Sequence, residues 1–303
     1  MDVFFVISGF IIWTVGSGSE SRPGVFFWRR LTRVAPAYWL VTAVVGVTAA
    51  AWPMFLPQVS LSTRHVLLSI AFIQHHDPNG LAFPVLPPGW SLNYEAVFYM
   101  LFTLTLFAPA RFRFALLVAA LAGEVALGFA DPPLYGLGAN PIMLQFAAGA
   151  WLARRRLQGR RIEPAAGLIF AGIGLALFIV QGLSGFRSEL FRPLLWGAPA
   201  LMIVAGAVAA ERILAAPQWL TRLGDASYAI YLCHLPTVAL VAHLLGVRPL
   251  WTFVPAALTA STVAGLVFHR WIETPLIAAC RALPARFTQI ANLKEKVTDH
   301  TLK

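Results

Sequence analysis

The sequence predicts an all-α fold, a polytopic transmembrane helical bundle of about nine spans. Two observations carry this expectation. Hydrophobic residues make up 58% of the 303 positions and charged residues only 12%, with a mean hydropathy of +0.71, so too few charges exist to cover a water-facing surface. The apolar residues are also gathered into long runs separated by Pro, Gly and charged connectors, and a crossing of roughly 30 Å of hydrocarbon needs about 20 such residues.

In chain order the spans lie near 2–15, 36–55, 90–109, 112–130, 140–153, 164–183, 193–210, 227–246 and 249–268. The first, Val3 to Val15, is short for a crossing. The stretch His65 to Ile73 is apolar but too short to cross, and reads as a re-entrant or interfacial piece in a long loop. Residues 1–280 form one transmembrane domain, and 281–303 a basic cytoplasmic tail.

Orientation follows from the basic residues, which are retained on the cytoplasmic side during insertion. With the N-terminus outside and the C-terminus cytoplasmic, only Arg64, Arg187, Arg192 and Arg248 of the 23 Lys and Arg face outward. Topology therefore explains the net charge of +10, and the expected partner is a lipid bilayer, with no nucleic acid. The chain reads as a multi-pass protein of a bacterial inner membrane. Cys233 and Cys280 lie far apart, in or beside apolar segments, and give neither a disulfide framework nor a metal knuckle. His75-His76-Asp77 lacks a third well-spaced ligand, so no metal is expected.

An ionisable group inside a bilayer is costly unless paired, so intramembrane carboxylates are functional candidates. Glu95 lies about one turn inside the outer end of its span, among Trp90, Tyr94 and Tyr99. Catalysis and helix packing are both open for it. Glu124, near the middle of its span among small residues, is equally suited to packing. Arg29, Arg30 and Arg33 precede a span within five positions. They read either as a topology signal touching lipid phosphates or as a clamp for a phosphorylated cytosolic donor, because guanidinium groups match phosphate oxygens bidentately. Ser227, Tyr231 and His234 recur at i, i+4 and i+7, a polar stripe on an otherwise apolar helix. Glu273, at the end of the last span, is expected to pair with an arginine of the basic cluster.

These motifs, in this order, resemble the membrane acyltransferase 3 family, whose members O-acylate sugars and related acceptors in bacteria. The resemblance rests on Asp2 to Ile12, Arg29-Arg30 to Pro36, and Trp90-Ser91-Leu92 with Glu95 and Phe98-Tyr99. It continues through Phe146 to Gly149, Ser227-Tyr228, Tyr231-Leu232, His234 and Glu273-Thr274-Pro275. Asn93-Tyr94-Glu95 is similar to the branch that acetylates exopolysaccharides and lipid-linked sugars.

The resemblance implies a ten-helix fold whose first helix carries an Arg and, ten residues on, the proposed catalytic His. The second span of such proteins opens Gly-Val-Asp-Val-Phe-Phe, whereas this sequence opens Met1-Asp2-Val3-Phe4-Phe5. The expectation is that Met1 replaces an internal GTG valine codon and that the first helix is encoded upstream. It further implies acyl transfer, of acetyl from acetyl coenzyme A, to a carbohydrate hydroxyl. Asp2 and Glu95 would orient the base or the sugar, Arg29, Arg30 and Arg33 would hold the coenzyme phosphates, and Ser227, Tyr231 and His234 would line the acyl path. Without the histidine, activity should fall roughly 100 to 10,000-fold. Two other classes stay open: a transporter or flippase of a glycan or lipid-linked sugar, opposed by the lack of internal repeats, and a catalytically dead scaffold.

Overall fold

A computed structural model describes residues 1–18, 21–130, 140–186, 188–211, 213–245 and 249–282. Among them there is no strand. Eleven α-helices follow one another: α1 Asp2–Gly16, α2 Pro23–Ala51, α3 Thr63–Ile70, α4 Trp90–Thr105, α5 Ala110–Ala130, α6 Leu144–Leu157, α7 Pro164–Ser184, α8 Ala198–Ala210, α9 Gln218–Asp225, α10 Ser227–Leu245 and α11 Leu250–Phe268. Single π turns, Pro193–Gly197 and His269–Glu273, lead into α8 and out of α11.

Each of the nine predicted spans falls on a helix for most of its length. Six helical stretches, Pro23–Ala51, Ala110–Ala130, Pro164–Ser184, Pro193–Ala210, Ser227–Leu245 and Leu250–Ala282, are long and apolar enough to cross a bilayer. Helices α1, α4 and α6 are shorter, at 15, 16 and 14 residues. The chain is a multi-pass membrane protein, and its outer faces show it. In α7 only Gly167 and Gly174 are buried, while Leu168, Ile169, Leu175, Ile179 and Val180 are exposed, which suits contact with acyl chains. Trp52, Trp219, Trp251 and Trp271 are exposed near helix ends, where indole rings favour the headgroup level.

Boundaries differ from expectation at four places. Helix α2 begins 13 residues before the predicted span, so the arginine cluster lies within the helix, and Pro36 is accommodated inside it. The missing Pro36 N–H would have met the Thr32 carbonyl, and the Thr32 hydroxyl turns back onto the Trp28 carbonyl at 2.9 Å. The His65 to Ile73 segment holds a short helix, α3, N-capped by Ser62, whose hydroxyl accepts from the His65 N–H. Beyond α11 the chain stays helical through the π turn to Ala282, where a stop had been predicted. Helix α9, a short amphipathic piece, was not foreseen, because eight residues carry too little periodicity to stand out. Arg187, Arg212 and Arg248, and the tail beyond Ala282, lie outside the described residues.

The chain forms two compact units, one of residues 1–27 and 60–221, the other of 28–59 and 222–303. In the first, α1 is central and lies along α6. Asp2 meets Gln145 and Phe10 meets Arg156, so residue numbers rise together and the two helices are parallel. Their backbones nearly touch. A Cβ on Gly149 would fall 1.9 Å from the Val6 carbonyl oxygen, and one on Gly9 would fall 2.1 Å from that of Phe146. Lipid-embedded helices gain little from excluding water and associate through such close packing of small residues. Phe146 then stacks on Phe98 of α4 at 4.1 Å between ring centroids and meets Phe5 at 4.7 Å. In the second unit, α10 and α11 pack with Gly265 against Ile230, and the Tyr228 hydroxyl donates to the Val34 carbonyl of α2 at 2.7 Å.

Gly149→Ala should therefore cost about 2 kcal/mol or more through forced separation of α1 and α6. Gly172→Ala, where nothing lies within 4 Å of the added carbon, should be neutral or slightly stabilising. Thermal unfolding of the two variants in detergent checks the contrast, and equal midpoints would contradict the proposed contact.

Candidate functional site

Polar chemistry in the first unit begins at the first residue of α1. The buried Asp2 carboxylate accepts the Gln145 side-chain N–H at 2.6 Å, Arg192 Nε at 3.1 Å and Arg192 Nη2 at 3.3 Å. Arg192 also donates through Nη1 to Glu189 at 3.2 Å. Burial opposes the guanidinium charge, but Asp2 and Glu189 outweigh it and hold Arg192 protonated beyond its ordinary range. The phenol of Tyr94 on α4 bonds the Gln74 side chain and lies within electrostatic reach of Glu124, Glu189 and Arg192. One oxygen of Glu124 and the side-chain amide oxygen of Asn93 are buried without a hydrogen bond among the described residues.

Glu95 occupies a separate position. Its buried carboxylate takes the Ser8 hydroxyl of α1 at 3.2 Å and the Tyr99 hydroxyl from the next turn of α4 on the same oxygen, Oε1. Ser8 stands six residues beyond Asp2, roughly 9 Å along the helix, and no hydrogen bond joins Glu95 to Asp2. The two carboxylates expected to act together are thus held by different partners. Arg192, Gln145, Ser8 and Tyr99 were missed as site residues. Arg192 had been counted only as a topology charge, and the pairing of residues 190 positions apart leaves no local signal.

The loop before α4 forms a third polar group. His75 Nδ1 lies 2.8 Å from the Ile73 carbonyl, which can only accept, so His75 Nε2 is left to accept from His65 Nδ1 at 2.6 Å. Ser69 ties the loop down, donating to the His65 carbonyl and accepting the Val85 N–H. Burial, and next the neighbouring His75, depress the His65 pKa, with Asp77 opposing them. No group of three metal-ligating side chains occurs among the described residues.

The second unit carries the remaining predicted residues. Arg29, Arg30 and Arg33 sit on successive turns of α2, Arg29 exposed and the other two half-buried. On α10, Tyr231 and His234 come together with ring centroids 5.6 Å apart, and His234 Nδ1 meets the Tyr231 carbonyl at 2.5 Å, so Nε2 is the acceptor of the neutral ring. Tyr231 also lies within electrostatic reach of buried Tyr38, whose hydroxyl bonds Thr42. Ser227 is exposed at the first turn, four residues before Tyr231 on the same helix. Glu273 is fully buried in the π turn. Its partner is His269, four residues back on the same helical face at 2.7 Å, and not the arginine expected; its other oxygen has no hydrogen bond among the described residues.

Residues 1–270 match the acyltransferase domain family. The chain is 34% identical over 298 residues to "Exopolysaccharide production protein ExoZ" of Rhizobium meliloti (strain 1021), covering 93% of this chain and 90% of that one. It is 25% identical over 300 residues to "Putative membrane-bound transacylase BcsY" of Komagataeibacter xylinus, covering 90% of this chain and 74% of that one. No solved structure matches.

Two outcomes are expected from this geometry. Arg192→Met leaves the buried Asp2 charge without its guanidinium partner and should cost on the order of 2–4 kcal/mol, seen as an earlier thermal transition; an unchanged transition would show the pair to be idle. Because the folded pKa of His65 is depressed, the His65–His75 contact contributes stability above about pH 6.5 and loses it as pH falls through the folded pKa. Hydrogen exchange of the loop amides, corrected for intrinsic rates, should therefore show more opening near pH 5 than near pH 7.5.

Proposed function

The chain belongs to the acyltransferase domain family, and on that premise we propose that it moves an acetyl group from acetyl coenzyme A to a hydroxyl of an exported or cell-surface carbohydrate. The family match over residues 1–270 carries this reading. A relative named for exopolysaccharide production, aligned over nearly the whole of both chains, supports a polysaccharide acceptor. The setting is a bacterial inner membrane, with the N-terminus outside and the C-terminus cytoplasmic.

In the reaction the acceptor oxygen bonds to the thioester carbonyl carbon, the carbon–sulfur bond breaks, and the hydroxyl proton passes through a base to the departing coenzyme A thiol. Glu95 is suited to orient the base or the acceptor hydroxyl. Its buried carboxylate accepts the Ser8 and Tyr99 hydroxyls, while Arg192 engages Asp2. Asp2 then acts as a support, fixing the start of α1. Arg29, Arg30 and Arg33 offer three guanidinium groups within two turns of one helix, a match for the donor's phosphates. The Tyr231–His234 pair, with Ser227 at the helix entrance, supplies polar groups for the path of the acyl arm. The enzyme needs no resident cofactor for this chemistry, since the thioester is itself activated.

The test uses membranes from cells expressing the protein, given acetyl coenzyme A labelled in its acetyl group. Label should appear in base-labile form on carbohydrate. Glu95→Gln should slow transfer about 100-fold or more without loss of membrane insertion, and the double variant Arg30→Ala, Arg33→Ala should raise KM for the donor more than it lowers kcat. Carbohydrate carried across the membrane unmodified would indicate a transporter and overturn the proposal, and full activity in Glu95→Gln would reduce that residue to packing.

A further inference from the structure

Helix α6 ends in Arg154, Arg155 and Arg156, and its termination gathers further charge. The Gly159 N–H meets the Arg156 carbonyl and the Arg160 N–H meets that of Arg155, both at 3.0 Å, the paired bonds of a Schellman turn. Gly159 has φ of +77°, with open space around a would-be Cβ, so glycine serves the backbone conformation there. The turn folds the chain back so that Arg160 and Arg161 join Arg156 around a cavity of about 140 Å³, whose apolar wall includes Leu152, Ile162 and Val208.

The neighbouring charges are mostly committed elsewhere. Arg154 lies over the Phe114 ring at 4.8 Å and Arg155 over Trp151 at 5.4 Å. Arg156 pairs with Glu211 at 2.9 Å in an exposed contact of little strength. Glu163 caps α7 by accepting the Ala166 N–H. Arg160 and Arg161 are left with no carboxylate partner among the described residues.

We propose that this cavity binds the phosphate headgroup of an anionic phospholipid, independently of the acyl-transfer site. It lies where α6 ends, α7 begins and α8 ends, and α7 turns Leu168 and Ile169 outward, so a lipid reaches it sideways from the bilayer. A basic rim over an apolar wall fits a phosphate with the first carbons of its chains. Coenzyme A also carries phosphates, but its adenine calls for ring stacking or hydrogen-bond acceptors, and the cavity lining contains no aromatic residue.

Native mass spectrometry of the full chain, purified in detergent and titrated with phosphatidylglycerol, phosphatidylcholine or coenzyme A, tests this. Phosphatidylglycerol should be retained in preference to phosphatidylcholine, about tenfold less by the Arg160→Ala, Arg161→Ala variant, and largely as in wild type by the Arg160→Lys, Arg161→Lys variant. Equal retention of both lipids, unchanged retention by the alanine variant, or displacement of phosphatidylglycerol by coenzyme A would overturn the proposal. Both arginines are exposed, so the alanine variant should keep its thermal transition.

Discussion

The near-contact of the α1 and α6 backbones at Gly9 and Gly149 sets the position of everything polar in the first unit. Once α1 is held there, its axial register is fixed, because a slide of one residue would drive a side chain into a carbonyl oxygen. Asp2 then lies beside Gln145 and within reach of Arg192, and Ser8 faces Glu95. The same crossing presses Phe146 between Phe5 and Phe98, which holds α4, and with it Glu95, against α1. Two carboxylates in one unit thus depend on two glycines that carry no chemistry. A bilayer supplies no hydrophobic force to press helices together, so this precision has to come from close packing and from polar contacts across helices.

Much of the fold was legible because a bilayer imposes a single rule. Backbone groups in hydrocarbon must be satisfied internally, so a long apolar run has few options besides a helix, and all nine runs proved helical. What hydropathy could not show is where a helix continues once it leaves the apolar region. Arg29, Arg30 and Arg33 looked like a boundary because charges end a hydrophobic window, yet arginine is a good helix former and α2 runs through them. The stop expected after residue 268 failed for a related reason: the helix carries the Glu273 carboxylate inward to bond His269 one turn back, and does not end at it.

The site was legible residue by residue but not in its pairings. Composition marks Asp2 and Glu95 as costly, and the order of motifs identifies the family, but neither says which partner meets each charge. Asp2 finds Arg192 across most of the chain, an arginine that charge counting had assigned to topology alone. Phe146 to Gly149, part of the recognised motif, turned out to be the packing surface for α1. Motif membership and chemical role are therefore distinct properties, and only the contacts separate them.

The contacts also divide the carboxylates by what each is able to do. Asp2 turns both oxygens to one guanidinium, and releasing them to a substrate would leave Arg192 without that partner. A glutamate aligned by hydroxyls is different. Ser8 and Tyr99 both donate and accept, so they can reorient as Glu95 changes its bonding. On the function proposed above, Asp2 is the fixed support and Glu95 the group that meets the reacting hydroxyl. It follows that α1 serves both purposes, one at its first residue and the other two turns deeper, through a register that the glycine crossing alone makes exact enough for both.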